Sequence, residues 1–257
     1  MNGTRVRVRR ERPTALAWAL ALAVTMLAVY VLTLTAALPE PARQTAAAPR
    51  VARALELPPL EGWCVTLGGF PTPDEARMAA AGYAGSGAAA IVYRSEDGWQ
   101  VLGAQYDTQR QAERVAQRLR DSEDIDAGVL RLSAEGLRLR ITVPEDRVEA
   151  IAEAAALLKA QTEQLQALAA QLDRGEVQPE AARTLCALAA TEAGRLSARL
   201  SDGDDPLCAA LAEALDRLST HLNEIARSRE PLPGMLRRAD IDDLLQLMTL
   251  YESAGRP

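Results

Sequence analysis

The sequence is poor in the side chains from which most catalytic and metal sites are built. Its 257 residues include three cysteines and one histidine, and aromatic residues make up only 4%. Cys64, Cys186 and Cys208 are too few and too widely spaced for a disulfide framework or a zinc site. His221 has no cysteine, serine or aspartate at a spacing that would form a recognisable triad. We therefore expect no metal, no cofactor and no catalytic residues, and predict that the protein is not an enzyme.

Basic charge is also scarce. The formal net charge is −6, and the stretch from Glu61 to Arg131 contains 11 acidic and 7 basic residues. A surface of this sign is repelled by phosphate backbones, so nucleic acid is excluded as a partner. What the chain has in quantity is alanine and leucine, a composition that is typical of helix-rich proteins.

The N-terminal region contains a long uncharged run. Residues 14–38 hold no charge over 25 positions, and a helix of that length spans a hydrocarbon core of about 30 Å. Five arginines precede the run within residues 1–13 and few bases follow it, so the positive-inside rule places the N-terminus in the cytoplasm. The sequence predicts a single-pass cell-membrane protein with a cytoplasmic basic tail at 1–13, a transmembrane helix at 14–38 and extracytoplasmic domains after it.

Two alternatives to a transmembrane helix exist for this run, a cleaved signal peptide and a buried soluble helix. A signal peptide cleaved near Thr35 to Ala37 would have an apolar region of only about 7–15 residues. A buried soluble helix rarely extends over so many uncharged positions behind an arginine cluster. The residues that follow, 39–60, are rich in proline and alanine without a sustained apolar face, which predicts a linker.

Residues 61–133 contain an internal repeat with an offset of 36 positions. The aligned pairs are Trp63 with Trp99, Val65 with Val101, Phe70 with Tyr106, Thr72 with Thr108, Ala76 with Ala112, and Ala80 with Ala116. Each half begins with a strand-like run, WCVTLGGF or WQVLGAQY, followed by a threonine that can cap a helix and then by a helical stretch. Second strands are predicted at 88–93 and 129–132. The order βαββαβ predicts a four-stranded antiparallel sheet with two helices on one face.

The two runs resemble the SPOR (sporulation-related repeat) domain family, whose halves begin with an aromatic-x-Val-Gln-Val-Gly-Ser-Phe type of strand before a small helix. The shared positions are Trp63, Val65, Gly68 and Phe70 in the first run, and Trp99, Val101, Tyr106 and Ala112 in the second. The resemblance implies a membrane-anchored cell-envelope protein that binds peptidoglycan. It further implies a preference for glycan strands stripped of their stem peptides, at the septum during cell division or sporulation.

Strand alternation predicts which side chains a ligand on the sheet would meet. Val65 and Val101 must face the helices, which leaves the neighbouring positions on the open face of the sheet. The candidate glycan-binding residues are Thr66 and Gln100 on that face, with Tyr93, Arg94, Gln105 and Arg131 at its rim. The alternative interpretation of the aromatic residues is core or edge packing. RNA-recognition modules share the order βαββαβ, but this sequence lacks their Lys/Arg-Gly-Phe-Gly-Phe-Val type of strand.

The remaining chain, 137–257, is predicted to be a helical domain after one more strand at 137–143. Prolines at the first helical positions and glycines near the ends give approximate helices at 144–174, 179–202, 206–228 and 240–253. The adjacent Asp242 and Asp243 are assigned to the start of the last helix, where the helix dipole favours acidic residues. Apolar residues at three-and-four spacings predict packing within one chain or against a second chain.

The predicted fold class is therefore α+β, with one transmembrane helix, a βαββαβ SPOR-like sandwich and an all-α bundle. The first functional hypothesis is peptidoglycan binding at the septum. In the second, the protein is a non-enzymatic, membrane-tethered scaffold whose SPOR-like module has lost glycan binding and whose helices recruit a protein partner. The departures from the family pattern favour the second hypothesis, and they are Thr66, Gly69, Gly103 and Ala104.

Overall fold

The repeat folds into a four-stranded antiparallel sheet. In this computed structural model, which describes residues 50–96, 98–201, 205–229 and 232–255, the strands are β2 (Leu60–Phe70), β3 (Ile91–Ser95), β4 (Gly98–Tyr106) and β5 (Ala127–Ala134). Their order in the sheet is β3-β4-β2-β5, and every neighbouring pair is antiparallel. The two longest strands, which open the two repeats, therefore lie side by side in the centre.

Two helices pack on the face of the sheet where they were expected. They are α1 (Pro73–Ala84) and α2 (Gln109–Glu123), and each is capped by the predicted threonine: Thr72 accepts from the backbone N–H of Glu75, and Thr108 does the same for Gln111. Small residues let both helices approach the sheet closely, because Ala76 and Ala112 are fully buried against its valines. Val65 and Val101 thus face the helices, as strand alternation predicts.

Four longer helices follow the sheet. They are α3 (Glu145–Asp173), α4 (Pro179–Ser201), α5 (Pro206–Arg227) and α6 (Leu232–Ala254). The first three agree with the predicted bounds to within one or two residues, and Asp205 caps α5 by accepting from the N–H groups of Leu207 and Cys208 at 3.0 and 3.2 Å. Their apolar stripes pack against one another within the chain, in one buried cluster. The intrachain interpretation is the one that the structure shows.

The predicted start of the last helix is wrong. Helix α6 begins at Leu232, eight residues before the expected start near Asp240. Asp242 and Asp243 therefore lie in the middle of the helix, where the charge of the helix terminus does not reach them. Placing acidic residues at a helix start is a sound rule for exposed ends, and it fails here because Asp243 is buried by tertiary packing.

A second, two-stranded sheet forms where a linker was expected. Strand β1 (Arg50–Leu57) pairs in antiparallel fashion with β6 (Leu137–Pro144), and Leu57 lies opposite Leu137. Ile141 and Val143 of β6 are buried against the helices. Their strand needs a partner for its backbone hydrogen bonds, and β1 supplies it despite the prolines and alanines on either side. The rest of the predicted linker, up to residue 49, lies outside the described residues.

Sequence reasoning left the second face of the sheet open, and that prediction is wrong. Helix α6 lies on the other face, where Ile241 and Leu244 form a buried cluster with Cys64, Leu102 and Leu132 of the strands. The opposite side of α6 joins the core of the other helices. Helix α6 has apolar residues on two opposite faces, and such a helix is stable when both faces meet apolar surfaces. The sheet is thus enclosed between two layers of helices, in one compact unit that runs from Pro49 to Pro257.

The predicted fold class also included a membrane-spanning helix. Of the helices that the structure describes, none is both long enough and apolar enough to cross a bilayer, which contradicts that prediction. The segments to which the helix and the basic tail were assigned, 14–38 and 1–13, lie outside the residues that the structure describes.

We predict that the contact between α6 and the sheet carries a large share of the folding free energy. Leu244→Ala should lower the free energy of unfolding by about 2–5 kcal/mol, because it leaves a cavity in a packed interface. Leu188→Ala is the matched control, since Leu188 is 64% exposed, and it should change the value by less than about 0.5 kcal/mol. Urea unfolding followed by circular dichroism measures both. Equal losses in the two variants would contradict the assigned role of α6.

Candidate functional site

Thr66, the first candidate glycan-binding residue, forms a hydrogen bond within the sheet. Its side chain lies on β2 and is buried, and its hydroxyl accepts a hydrogen bond of 3.1 Å from the backbone N–H of Gly128 on β5. The contact sits beside an irregularity in the pairing of β2 with β4, between Thr66 and Gly69. The hydroxyl therefore stabilises the strand pairing at this bulge and is withdrawn from solvent.

Gln100 and Gln105 lie on β4, under helices. Gln105 is buried, and its Oε1 has no hydrogen-bond partner among the residues described; the Oε1 of Gln100 is in the same condition. A Cβ placed on Gly62 would meet Leu244 at 2.6 Å and the Gln105 amide at 3.1 Å, so this amide lies next to α6. Gln100 shares a face of β4 with the buried Leu102. The Gln105 amide is therefore withdrawn from solvent, whereas the side chain of Gln100 is half-buried.

The three rim candidates lie on opposite edges of the sheet. Tyr93 and Arg94 belong to β3, and Arg131 belongs to β5. Three strand spacings separate these edges, a distance of about 14 Å. Each arginine already covers a tryptophan, because the Arg94 guanidinium lies 5.7 Å from the ring centre of Trp99 and that of Arg131 lies 5.6 Å from the ring centre of Trp63. The six candidates are not brought together on one accessible surface.

Sequence reasoning missed two buried acidic residues on α6. Asp240 and Asp243 are 1% and 3% exposed, and one carboxylate oxygen of each has no hydrogen-bond partner in the described part of the chain. Burial raises the pKa of Asp243 to about 8, with a smaller contribution from the charge of Asp242. Burial, followed by the charges of Asp243 and Asp107, raises the pKa of Asp240 well above its usual value. The sequence contains a signal for this burial, because both acids lie in a stretch rich in apolar residues that includes Ile241 and Leu244.

Cys64 of β2 completes this buried cluster. It is fully buried, and its pKa is raised to about 12 by burial and, to a lesser extent, by the charge of Asp240. A thiol with this pKa stays protonated at neutral pH and is a poor nucleophile. Cys64 lies opposite Gln105 in the pairing of β2 with β4 and close enough to Asp240 to feel its charge, so three polar groups lie in or beside an otherwise apolar interface.

One cleft lies between α1 and β3 on one side and α5 and α6 on the other. Its volume is about 690 Å³, and His221, Glu224, Arg238 and Asp242 line it beside apolar side chains. Burial raises the pKa of Asp242, while the charges of His221 and Arg238 lower it. No hydroxyl or thiol is among the side chains found to line this cleft. It holds an acid and a base without a nucleophile.

The second cleft lies between the end of β4 and helices α2, α3 and α6. Its volume is about 470 Å³, and its walls carry both signs of charge, with Arg118 on α2 and Asp173 on α3. Asp173 pairs with Arg237 of α6. Burial raises the pKa of Tyr106 at the inner wall. Across the residues that the structure places, no group of three or more His, Cys, Asp and Glu side chains is arranged to hold a metal ion in either cleft or elsewhere.

We predict that Thr66 contributes to stability through its hydroxyl. Thr66→Val keeps the shape of the side chain but leaves the N–H of Gly128 without its acceptor, which should cost about 1–3 kcal/mol of unfolding free energy. Thr66→Ser keeps the hydroxyl and should lose clearly less. Urea titration of the two variants measures the difference. A valine variant as stable as the serine variant would show that the hydrogen bond has no structural role.

Comparison with known proteins identifies no relative of this chain. No protein-family model matches it, and neither a curated protein nor a solved structure does. The resemblance to SPOR domains therefore stays a prediction from the residues of the repeat.

Proposed function

We propose that this protein is a non-enzymatic interaction scaffold, in which the SPOR-like module is a structural platform and the C-terminal helices bind a protein partner. The observation that carries the proposal is the position of α6 on the sheet. Ile241 and Leu244 occupy the face on which the resemblance expects a glycan strand, and Leu102 beneath them is fully buried. A glycan strand would have to displace this helix before it could reach the strands.

A surface suited to a protein partner lies on α4. Leu185 and Leu188 are 52% and 64% exposed, and they are one helical turn apart on its outward face. The other exposed residues of α4 between Glu180 and Glu192 are Ala181, Thr184 and Thr191, all uncharged. Ion pairs at both ends, Glu180 with Arg183 and Glu192 with Arg195, give this apolar centre a polar rim. That composition is typical of protein interfaces.

The non-enzymatic part of the proposal is supported by the chemistry of the buried groups. Cys64 is protonated and enclosed, with a pKa of about 12. His221 and Asp242 share a cleft in which no hydroxyl or thiol was found to be available to them among the described lining residues. The described lining of this cleft thus offers no hydroxyl or thiol side chain for covalent catalysis.

The setting we propose is the extracytoplasmic side of the cell envelope. This setting depends on the resemblance of residues 61–133 to SPOR domains. The acidic character of the chain, with a net charge of −6, agrees with a partner other than nucleic acid. Cell division and sporulation are the processes that the resemblance offers for such a scaffold.

We predict that the purified chain does not bind denuded glycan. Its retention on peptidoglycan sacculi at pH 6 should be the same before and after an amidase removes the stem peptides, because α6 covers the sheet. Arg94→Glu and Arg131→Glu, both at exposed positions, should leave the retention unchanged. Retention that rises on stripped glycan and falls in these two variants would favour the glycan hypothesis over the scaffold.

We predict that the partner contacts α4. A photo-crosslinking amino acid at position 188 should give a discrete protein adduct in cells, and Leu185→Glu should abolish it by placing a charge in the apolar centre. Met78 of α1 is the matched control, because it is 72% exposed and apolar but belongs to the SPOR-like module. A crosslinker at position 78 should give no such adduct. Equal adducts from both positions, or none from position 188, would contradict the proposal.

A further inference from the structure

The cleft between β4, α2, α3 and α6 contains two buried acceptors that no described residue satisfies. Asp240 of α6 is 1% exposed and Gln105 of β4 is 7% exposed, and both line the cleft. One carboxylate oxygen of Asp240 and the amide oxygen of Gln105 have no hydrogen-bond partner within the described residues. Buried polar groups are nearly always satisfied in folded proteins. Two free acceptors in one cleft therefore indicate that a donor from outside the chain belongs there.

Contacts between the neighbouring elements fix the shape of this cleft. The Nε2 of Gln166 on α3 donates to the backbone carbonyl of Gln105 at 3.1 Å, which ties α3 to the end of β4. Arg237 of α6 pairs with Asp173 of α3 and donates to the Gly87 carbonyl at 2.5 Å. The volume of the cleft, about 470 Å³, lies within the range of small-molecule sites, about 300–1,000 Å³. The cleft is thus preformed and large enough for a small ligand.

Two arginines of α2 bring positive charge to the same cleft. Arg114 and Arg118 line it, are exposed, and form no ion pair among the described residues. The Nε of Arg114 donates to the Arg110 carbonyl at 3.3 Å, which leaves the two terminal nitrogens of its guanidinium for another acceptor. The guanidinium fork matches the geometry of a carboxylate. The α2 side of the cleft is therefore suited to an anionic group, and the α6 side to a hydrogen-bond donor.

The remaining charges of the cleft limit the net charge of its ligand. The other two arginines that line it already have acidic partners. Asp107 and Glu163 also line the cleft, are exposed, and lie outside the ion pairs of the described residues. These two acids repel a ligand with a net negative charge. A ligand with one charge of each sign matches the cleft better than an anion.

We propose that this cleft binds a small zwitterion, an amino acid or a short peptide, whose ammonium group lies against Asp240 and whose carboxylate lies against Arg118. An ammonium group has three donors and no acceptor, so it can satisfy the free oxygens of Asp240 and Gln105 together. Burial raises the pKa of Asp240, and a neighbouring ammonium group favours the ionised carboxyl. A water molecule would satisfy the same two oxygens but would leave the arginines unused. The site is separate from the exposed leucines of α4, so its failure would leave the scaffold function untouched.

Ligand-observed NMR on the full-length protein tests for binding. The probes are the proteinogenic amino acids, as a mixture, and the dipeptide L-alanyl-L-alanine, and saturation transfer should identify at least one that binds. For that probe, the N-acetyl derivative lacks the ammonium group and the C-terminal amide lacks the carboxylate. Each derivative should bind at least about tenfold more weakly than the parent probe. Absence of binding by every probe would show that the cleft holds only water and would overturn the proposal.

Substitutions on the two sides of the cleft assign each end of the ligand. In Asp240→Asn, the preference for the probe over its N-acetyl derivative should fall to about twofold or less, while the preference over the amide remains. Arg114→Gln with Arg118→Gln should do the converse. Damage to the fold would weaken the binding of all three ligands alike, so this crossed pattern distinguishes a binding role from a structural one. Preferences that do not change in the two variants would overturn the proposal.

Arg110→Gln is the matched control for the arginine variant. Arg110 is an exposed arginine of the same helix and lies outside the described lining of the cleft, so its loss should leave the affinity and both preferences unchanged. An equal loss of affinity in Arg110→Gln would show a general effect of charge and would overturn the assignment. Should Asp240→Asn not fold, the exposed arginine pair decides alone, and an unchanged preference over the amide in that variant overturns the proposal.

Discussion

The packing of α6 on the four-stranded sheet is the contact on which the rest of the structure depends. Ile241 and Leu244 close the second face of the sheet, while the other side of the same helix completes the core of the C-terminal helices. One helix therefore joins the four-stranded sheet and the C-terminal helices, which the sequence alone predicts as separate domains. Loss of this contact would leave an apolar strand face and an apolar helix face exposed to water, which is why both parts form one unit.

The same contact also contains the least favourable chemistry in the described structure. Cys64, Asp240 and the Gln105 amide lie in or beside this contact, which offers apolar packing but few hydrogen-bond partners. Apolar burial must offset the desolvation of these groups, and the offset is smaller once a carboxyl ionises. Hydrogen bonds from Arg238 to the Ala89 carbonyl and from Tyr251 to the Pro58 carbonyl also fasten α6 to its neighbours.

The sequence predicted helices and strands well where interactions between residues close in the chain determine them. Thr72, Thr108 and Asp205 cap the helices as expected, because capping depends on a side chain and the backbone three residues away. The repeat predicted the order of strands and helices between residues 61 and 133. The predictions that failed concern elements whose partners are distant in sequence. Residues 50–57 form a strand because β6 requires a partner strand for its backbone hydrogen bonds. Helix α6 begins earlier than predicted because its first turns pack against the other helices.

The sequence by itself determined the βαββαβ order, the inward valines and the bounds of three long helices, because period-two and three-and-four patterns record which face of an element is buried. It could not determine what covers the second face of the sheet. Only the tertiary structure decided that Thr66 and Gln105 are enclosed, that Trp63 and Trp99 are covered by arginines, and that two aspartates of α6 are buried. The physical reason is that a polar strand position facing water and one facing a covering helix have the same local pattern, and the covering helix lies more than a hundred residues away.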